Sequence, residues 1–202
     1  DHHLFNPKDK VQARALMREH FNLEAPFICY VSRLEPRAKN HYRLLEAFEA
    51  YKKENNSPVK LLLVGADWNG AEDFHKRLAT SPVRDQVICT GFIDGALLPY
   101  IYSACDLSIY PSLFEGFGFP VIEAMACGAA VCCSGTTSLL EIARDRLPHF
   151  NPCRVSEIKE ALISGLASHS NRQENLAYAQ TFQWERTAVQ VQQSYIKCLD
   201  DA

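Results

Sequence analysis

Long apolar runs are missing from this chain. No stretch approaches the ~18 residues that would cross a bilayer as a helix. The opening DHHLFNPKDK has neither an apolar signal core nor an initiating Met, so a soluble chain cut from something longer is expected. Glycine and proline are sparse, at 9 and 10 of 202 residues, while 47% of residues are hydrophobic; collagen, low complexity and disorder are excluded. Basic residues do not dominate either. With 21 Lys and Arg against 24 Asp and Glu, the net charge is −3, which argues against a nucleic-acid or acidic-lipid partner and requires any anionic ligand to be gripped locally. The 8 cysteines form no C-x-x-C pair and none sits at finger-like spacing from a histidine, so no metal site is expected. Cys29, Cys89, Cys132 and Cys133 fall in short apolar runs, where a thiol packs as a small hydrophobe. A reduced, cytosolic compartment follows.

Several fingerprints are missing as well. The G-x-G-x-x-G turn of dinucleotide binding is not there: the nearest match, Gly116-Phe117-Gly118, lacks the third glycine. There is no P-loop, no G-x-S-x-G nucleophile elbow and no D-x-D pair of the kind that holds a divalent metal on a nucleotide sugar. Phosphate, if bound, is held by protein groups.

What is there is alternation. Near-continuous apolar runs at Phe27–Val31, Leu61–Val64, Gln86–Cys89, Leu107–Tyr110 and Ala130–Cys133 read as strands buried on both faces of a parallel sheet, with a weaker sixth around Leu147–Phe150. Segments of helical period lie between them, at His41–Lys53, Ala71–Leu78, Ala96–Ala104 and Pro120–Cys127, and from Val155 onward the chain reads as helices only. The expected fold is an α/β Rossmann-like, doubly wound parallel sheet with a C-terminal helical tail, in one domain over residues 1–202. In such a sheet ligands sit outside the carboxyl ends of the strands.

Two of those ends carry candidate chemistry. Arg33 and Lys39 follow the first strand, and a planar fork of donors beside a mobile ammonium suits the oxygens of a diphosphate. Arg37 is a competing arginine in the same loop. After the fourth strand comes YPSLFEGFGFPVIEAMACG, residues 110–128. Pro120 fits a helix start, and the amides of Gly116, Phe117, Gly118 and Phe119 stand at the positive end of that helix's dipole. Glu115 and Glu123, eight residues apart, are expected to border one cleft, for hydroxyl recognition or for stabilising developing positive charge. Thr136, Thr137 and Ser138 read as caps of the next helix, with Glu141 closing a capping box from Ser138. Trp68 and Trp184 read as packing.

These segments resemble the C-terminal, donor-binding domain of family 4 retaining glycosyltransferases, one half of a GT-B fold. The resemblance is carried by VSRLEPRAKNHYRLLEAF (31–48), KLLLVGAD (60–67), residues 87–134 and FQWERTAVQV (182–191), and most specifically by the E-x7-E element at Glu115 and Glu123. It implies that Arg33 and Lys39 hold the donor diphosphate, that Glu115 and the amides of Phe117–Phe119 face the transferred sugar, that Glu123 binds the ribose hydroxyls, and that Phe92 and Ile93 lie near the base. It implies retaining transfer of a hexose, without metal or other cofactor, from a nucleotide diphosphate sugar to a glycan or lipid-linked acceptor in surface polysaccharide synthesis, with the leaving phosphate assisting acceptor deprotonation. GDP-mannose is a working guess for the donor.

The acceptor-binding N-terminal domain is absent from this chain, so the fragment is expected to bind nucleotide and transfer sugar poorly or not at all. Location follows as cytoplasmic, with any peripheral membrane contact made through the missing domain. The competing readings are a non-catalytic nucleotide-sugar binding module and an epimerase or phosphorylase of the same architecture.

Overall fold

A computed structural model of the chain describes residues 1–167 and 172–200. Its elements follow the alternation in the sequence: α1 (Lys10–Phe21), β1 (Phe27–Val31), α2 (His41–Glu54), β2 (Lys60–Val64), α3 (Ala71–Ala79), β3 (Val87–Cys89), α4 (Leu98–Ala104), β4 (Leu107–Tyr110), α5 (Phe119–Ala126), β5 (Val131–Ser134), α6 (Thr137–Ala143), β6 (His149–Phe150), α7 (Val155–Ala167), α8 (Arg172–Ala179) and α9 (Trp184–Asp200). A short 3₁₀ turn at Gly95–Leu97 takes the first residues of the helix expected from Ala96. The sixth strand is reduced to its last residues, and α1 was not foreseen.

The sheet has six strands in the order β3-β2-β1-β4-β5-β6, and every adjacent pair is parallel. Each of β1, β2, β4 and β5 is almost wholly buried, which is why their sequences are continuous apolar runs and not alternations. Cys29, Cys132 and Cys133 are core residues and Cys89 is half-buried. Burial pushes the Cys133 thiol up to about 12, so it packs as an inert hydrophobe.

Strand order reverses between β1 and β4. Chain leaving β1 turns to one side of the sheet and chain leaving β4 to the other, so a crevice opens between their carboxyl ends. Gly65 fixes one wall of it. Its φ is +145°, and a Cβ there would lie 2.1 Å from the Ser32 carbonyl oxygen, so only glycine lets β2 and the chain after β1 run this close. Their pairing continues past the strands, with the Leu34 N–H bonded to the Ala66 carbonyl at 2.9 Å and the Trp68 N–H to the Leu34 carbonyl at 3.1 Å.

Candidate functional site

The crevice holds a cavity of about 140 Å³ lined by Ser32, Arg33 and Lys39 from the chain after β1, Tyr110 and Glu115 from β4 and its loop, Gly118, Pro120 and Val121 at the start of α5, and Leu139. The loops after β1 and β4 are laced together. Asn40, buried and left-handed at φ 61°, donates its amide to the Pro111 and Pro152 carbonyls at 2.9 and 2.8 Å. The Leu113 N–H bonds the Ala38 carbonyl at 3.1 Å, and the Tyr30 hydroxyl donates to the Lys39 carbonyl at 2.9 Å. This lacing brings the Lys39 ammonium to 2.7 Å from Glu115 Oε1, with side chains 18% and 21% exposed. Arg33 lies over the Trp68 ring, 4.7 Å from its centre, and 3.6 Å from the Glu35 carboxylate.

The start of α5 forms the remaining wall. Gly118 caps it at φ +105°, and a Cβ there would come within 2.7 Å of Leu139 Cδ2. The Tyr110 hydroxyl donates to the Pro120 carbonyl at 2.9 Å and tethers the first helical turn to β4. The α5 dipole therefore points its positive end at a cavity lined by Lys39, Arg33 and Glu115, where the carboxylate is the anion that the Lys39 ammonium already holds. Gly116 and the rings of Phe117 and Phe119 are exposed.

Glu123 lies elsewhere. Its carboxylate lines a second, larger cavity of about 570 Å³ together with Phe117, Phe119, Ile122, Phe182 and Trp184, so the expected single cleft bordered by Glu115 and Glu123 is not formed. Burial raises the Glu123 carboxyl above its ordinary value, opposed by the Tyr102 hydroxyl, which lies 3.4 Å from Oε2. The larger cavity is mostly apolar and no Lys or Arg lines it. Phe92 is 84% exposed, Ile93 packs against the core, and neither lines the Lys39 cavity. No group of three or more His, Cys, Asp or Glu able to hold a metal ion is present among the described residues.

The 136–138 hydroxyls were read as caps, and the structure corrects this. Thr136 occupies the cap position of α6 without a side-chain bond to that helix. Ser138 donates instead to the Glu115 carbonyl at 2.9 Å, so no Ser138–Glu141 capping box forms. Trp68 and Trp184, read as packing, are exposed; one carries Arg33 and the other stacks on Phe119 at 5.8 Å. Asn40 was not singled out, and the sequence shows no partner for His41. His41 is buried against the Tyr30 ring at 4.9 Å with Nε2 3.3 Å from the Ser32 hydroxyl. Burial, with the Lys39 charge adding to it against a backbone contact at Glu35, holds its pKa down at about 3.

The sequence profile of the glycosyl transferases group 1 family matches residues 13–181. The chain belongs to that family. Among relatives of this group 1 chain, it is 34% identical over 175 residues to the O-antigen chain mannosyltransferase B of Escherichia coli, a match that covers 84% of the chain and 45% of the relative. It is 33% identical over 178 residues to a serotype-specific mannosyltransferase WbdA of the same organism, covering 85% of the chain and 22% of the relative. The chain thus spans less than half the length of these curated relatives. Among solved structures, the sucrose-phosphate synthase from Thermosynechococcus elongatus superposes with a TM-score of 0.78 at 26% identity, over 100% of this chain and 51% of that one. The Rossmann-like sheet with its helical tail is thus a domain of the GT-B type. No helix among the described residues is long and apolar enough to cross a membrane.

Proposed function

We propose that this chain is the donor-binding half of a retaining hexosyltransferase, and that the β1/β4 crevice seats the diphosphate of a nucleotide sugar. One observation carries the reading: Lys39, Arg33 and the amino end of α5 converge on one cavity at the switch point of a group 1 glycosyltransferase fold. Its volume of about 140 Å³ suits a phosphate group, not a whole ligand, so the sugar and nucleoside extend beyond it. The mannosyltransferase relatives support a hexose donor and O-antigen-type glycan synthesis.

The chemistry follows from the charges. Transfer breaks the bond between the sugar C1 and the diphosphate oxygen and forms a bond from C1 to an acceptor hydroxyl oxygen. The acceptor proton passes to the departing phosphate, and attack on the same face retains configuration. Negative charge grows on the leaving diphosphate as C1 becomes positive. Lys39, Arg33 and the α5 dipole are placed to stabilise the first, doing the work of a metal, and the Glu115 carboxylate the second. For the ribose we keep Glu123, which shares the larger cavity with the Phe117 and Phe119 rings, with Phe92 and Ile93 toward the base. The acceptor-binding domain would be supplied by sequence outside this chain, and closure of the two halves would assemble the reacting groups, so the chain alone transfers little sugar.

Lys39 is already occupied by Glu115, at 2.7 Å, so an entering diphosphate competes with that carboxylate. Calorimetric titration with UDP, GDP and ADP, without metal and then with Mg²⁺, tests the site. Lys39→Ala is expected to weaken binding at least about tenfold, as loss of a charge-assisted contact does. Glu115→Gln is expected to tighten it by up to about fivefold, since a partly exposed ion pair is worth about 0.2–1 kcal/mol. Selective binding that Lys39→Ala leaves unchanged would sink the assignment.

A further inference from the structure

Three hydroxyl side chains follow one another after β5, and none of them caps its own helix. Thr136 Oγ1 reaches the Leu113 carbonyl at 3.5 Å. Thr137 Oγ1 accepts the Glu115 backbone N–H at 3.3 Å, and Ser138 Oγ donates to the Glu115 carbonyl at 2.9 Å. The peptide groups on both sides of the Glu115 Cα are thus held by the same turn, 22 and 23 residues further along the chain.

Thr137 adopts φ 50°, the left-handed region. For a β-branched residue this costs about 1–2 kcal/mol, and among the described residues the other non-glycines there are Asn22, Asn40 and Arg144, of which the asparagines tolerate it readily. A side chain held against its preference, with its hydroxyl on Glu115, is an outlier that asks for a function.

We propose that Thr137 and Ser138 are positioning residues for Glu115. Clamping its N–H and C=O fixes the peptide planes on either side of its Cα and so the direction of the Cα–Cβ bond, which sets the carboxylate against Lys39 and toward the cavity. Glu115 sits in a loop before α5, where no helix or strand ladder orients it, so orientation has to come from outside the loop. Without the clamp the carboxylate swings away and the Lys39 ammonium loses its partner. This deepens the donor-site reading and rests on it for the catalytic meaning of Glu115; the clamp itself is testable without donor or turnover.

The test is the side-chain ammonium signal of Lys39 in ¹⁵N-labelled chain, assigned by its loss in Lys39→Arg. Ammonium protons exchange with water too fast to be seen unless hydrogen-bonded to a fixed partner. The signal is expected in the parent, in Thr137→Ser and in Ser138→Thr. It is expected to vanish in Glu115→Gln and in the double variant Thr137→Ala/Ser138→Ala, while the unfolding temperature of the double variant stays within a few degrees of the parent, as for exposed and half-buried positions. Should the double variant fail to fold, Ser138→Ala alone carries the same expectation. A signal that persists in the alanine variants, or that is missing from the folded parent, overturns the proposal. Titrating the same samples with UDP and GDP separates the two readings: a parent that shows the ammonium behaviour but no nucleotide response loses the donor site and keeps the clamp.

Discussion

His41 and Gly65 show how single residues set the walls of the crevice. His41 stays neutral in the fold down to a pKa of about 3, against 6.5 when unfolded. Between those values the unfolded chain binds more protons than the folded one, so this group's contribution to stability is lost as pH falls from 6.5 toward 3. His41→Phe, which retains ring contacts with Tyr30 and Phe74, is expected to flatten the loss of stability across that window, read by urea unfolding at a series of pH values. An unaltered acid slope would contradict the assignment. At Gly65 the constraint is steric, because a Cβ would meet backbone and not a movable side chain. Gly65→Ala should cost about 3 kcal/mol or more, measured by the shift in urea midpoint, and a change below about 1 kcal/mol would show that the two loops can part. That Arg33, Lys39 and Glu115 come together at one cavity was legible because each follows a strand end, and the two cations because their residue types suit a diphosphate. The placement of Glu123 was not. Spacing along a chain says which helix face a residue takes, and the loop before α5 carries Glu115 off that face.

At the scale of elements, the parallel strands were legible because burial on both faces leaves continuous apolar runs, and α2 because Leu44, Leu45, Phe48 and Tyr51 form its buried face. The first helix escaped because only Ala13 and Met17 of KVQARALMREHF are buried, which leaves almost no apolar stripe to read. What holds it is long-range: Arg14 pairs with Asp106 at 2.8 Å, and Asp106 accepts the Phe27 N–H at 2.8 Å. The capping box failed for a related reason, since a Ser three residues before a Glu has the right local pattern and the hydroxyl found a better partner across the fold. The loops of the site are joined most directly by Asn40. Asn40→Ala leaves the Pro111 and Pro152 carbonyls without their donor and places alanine at φ 61°. It is expected to cost about 2–4 kcal/mol and, in the folded variant, to weaken nucleotide binding by letting the loop that carries Arg33 and Lys39 drift from the start of α5. Binding unchanged in a destabilised variant would show that the lacing supports the fold and not the site.

For the whole molecule, the sheet order opens the crevice and the family match and the structural likeness supply the frame around it; the central claim is where the diphosphate sits within that frame. Two cavities are candidates for the diphosphate. The crevice cavity has the cations, and the larger one beside Phe5, Ile122 and Trp184 has the volume and Glu123. Backbone amide shifts of ¹⁵N-labelled chain on addition of GDP, and separately of UDP, distinguish them directly. The account predicts that the largest shifts fall on Ser32 to Lys39 and on Gly118 and Val121, which line the crevice cavity and not the larger one. Shifts confined to the surroundings of Phe5, Ile122 and Trp184, with Lys39 and Gly118 unmoved, would contradict it.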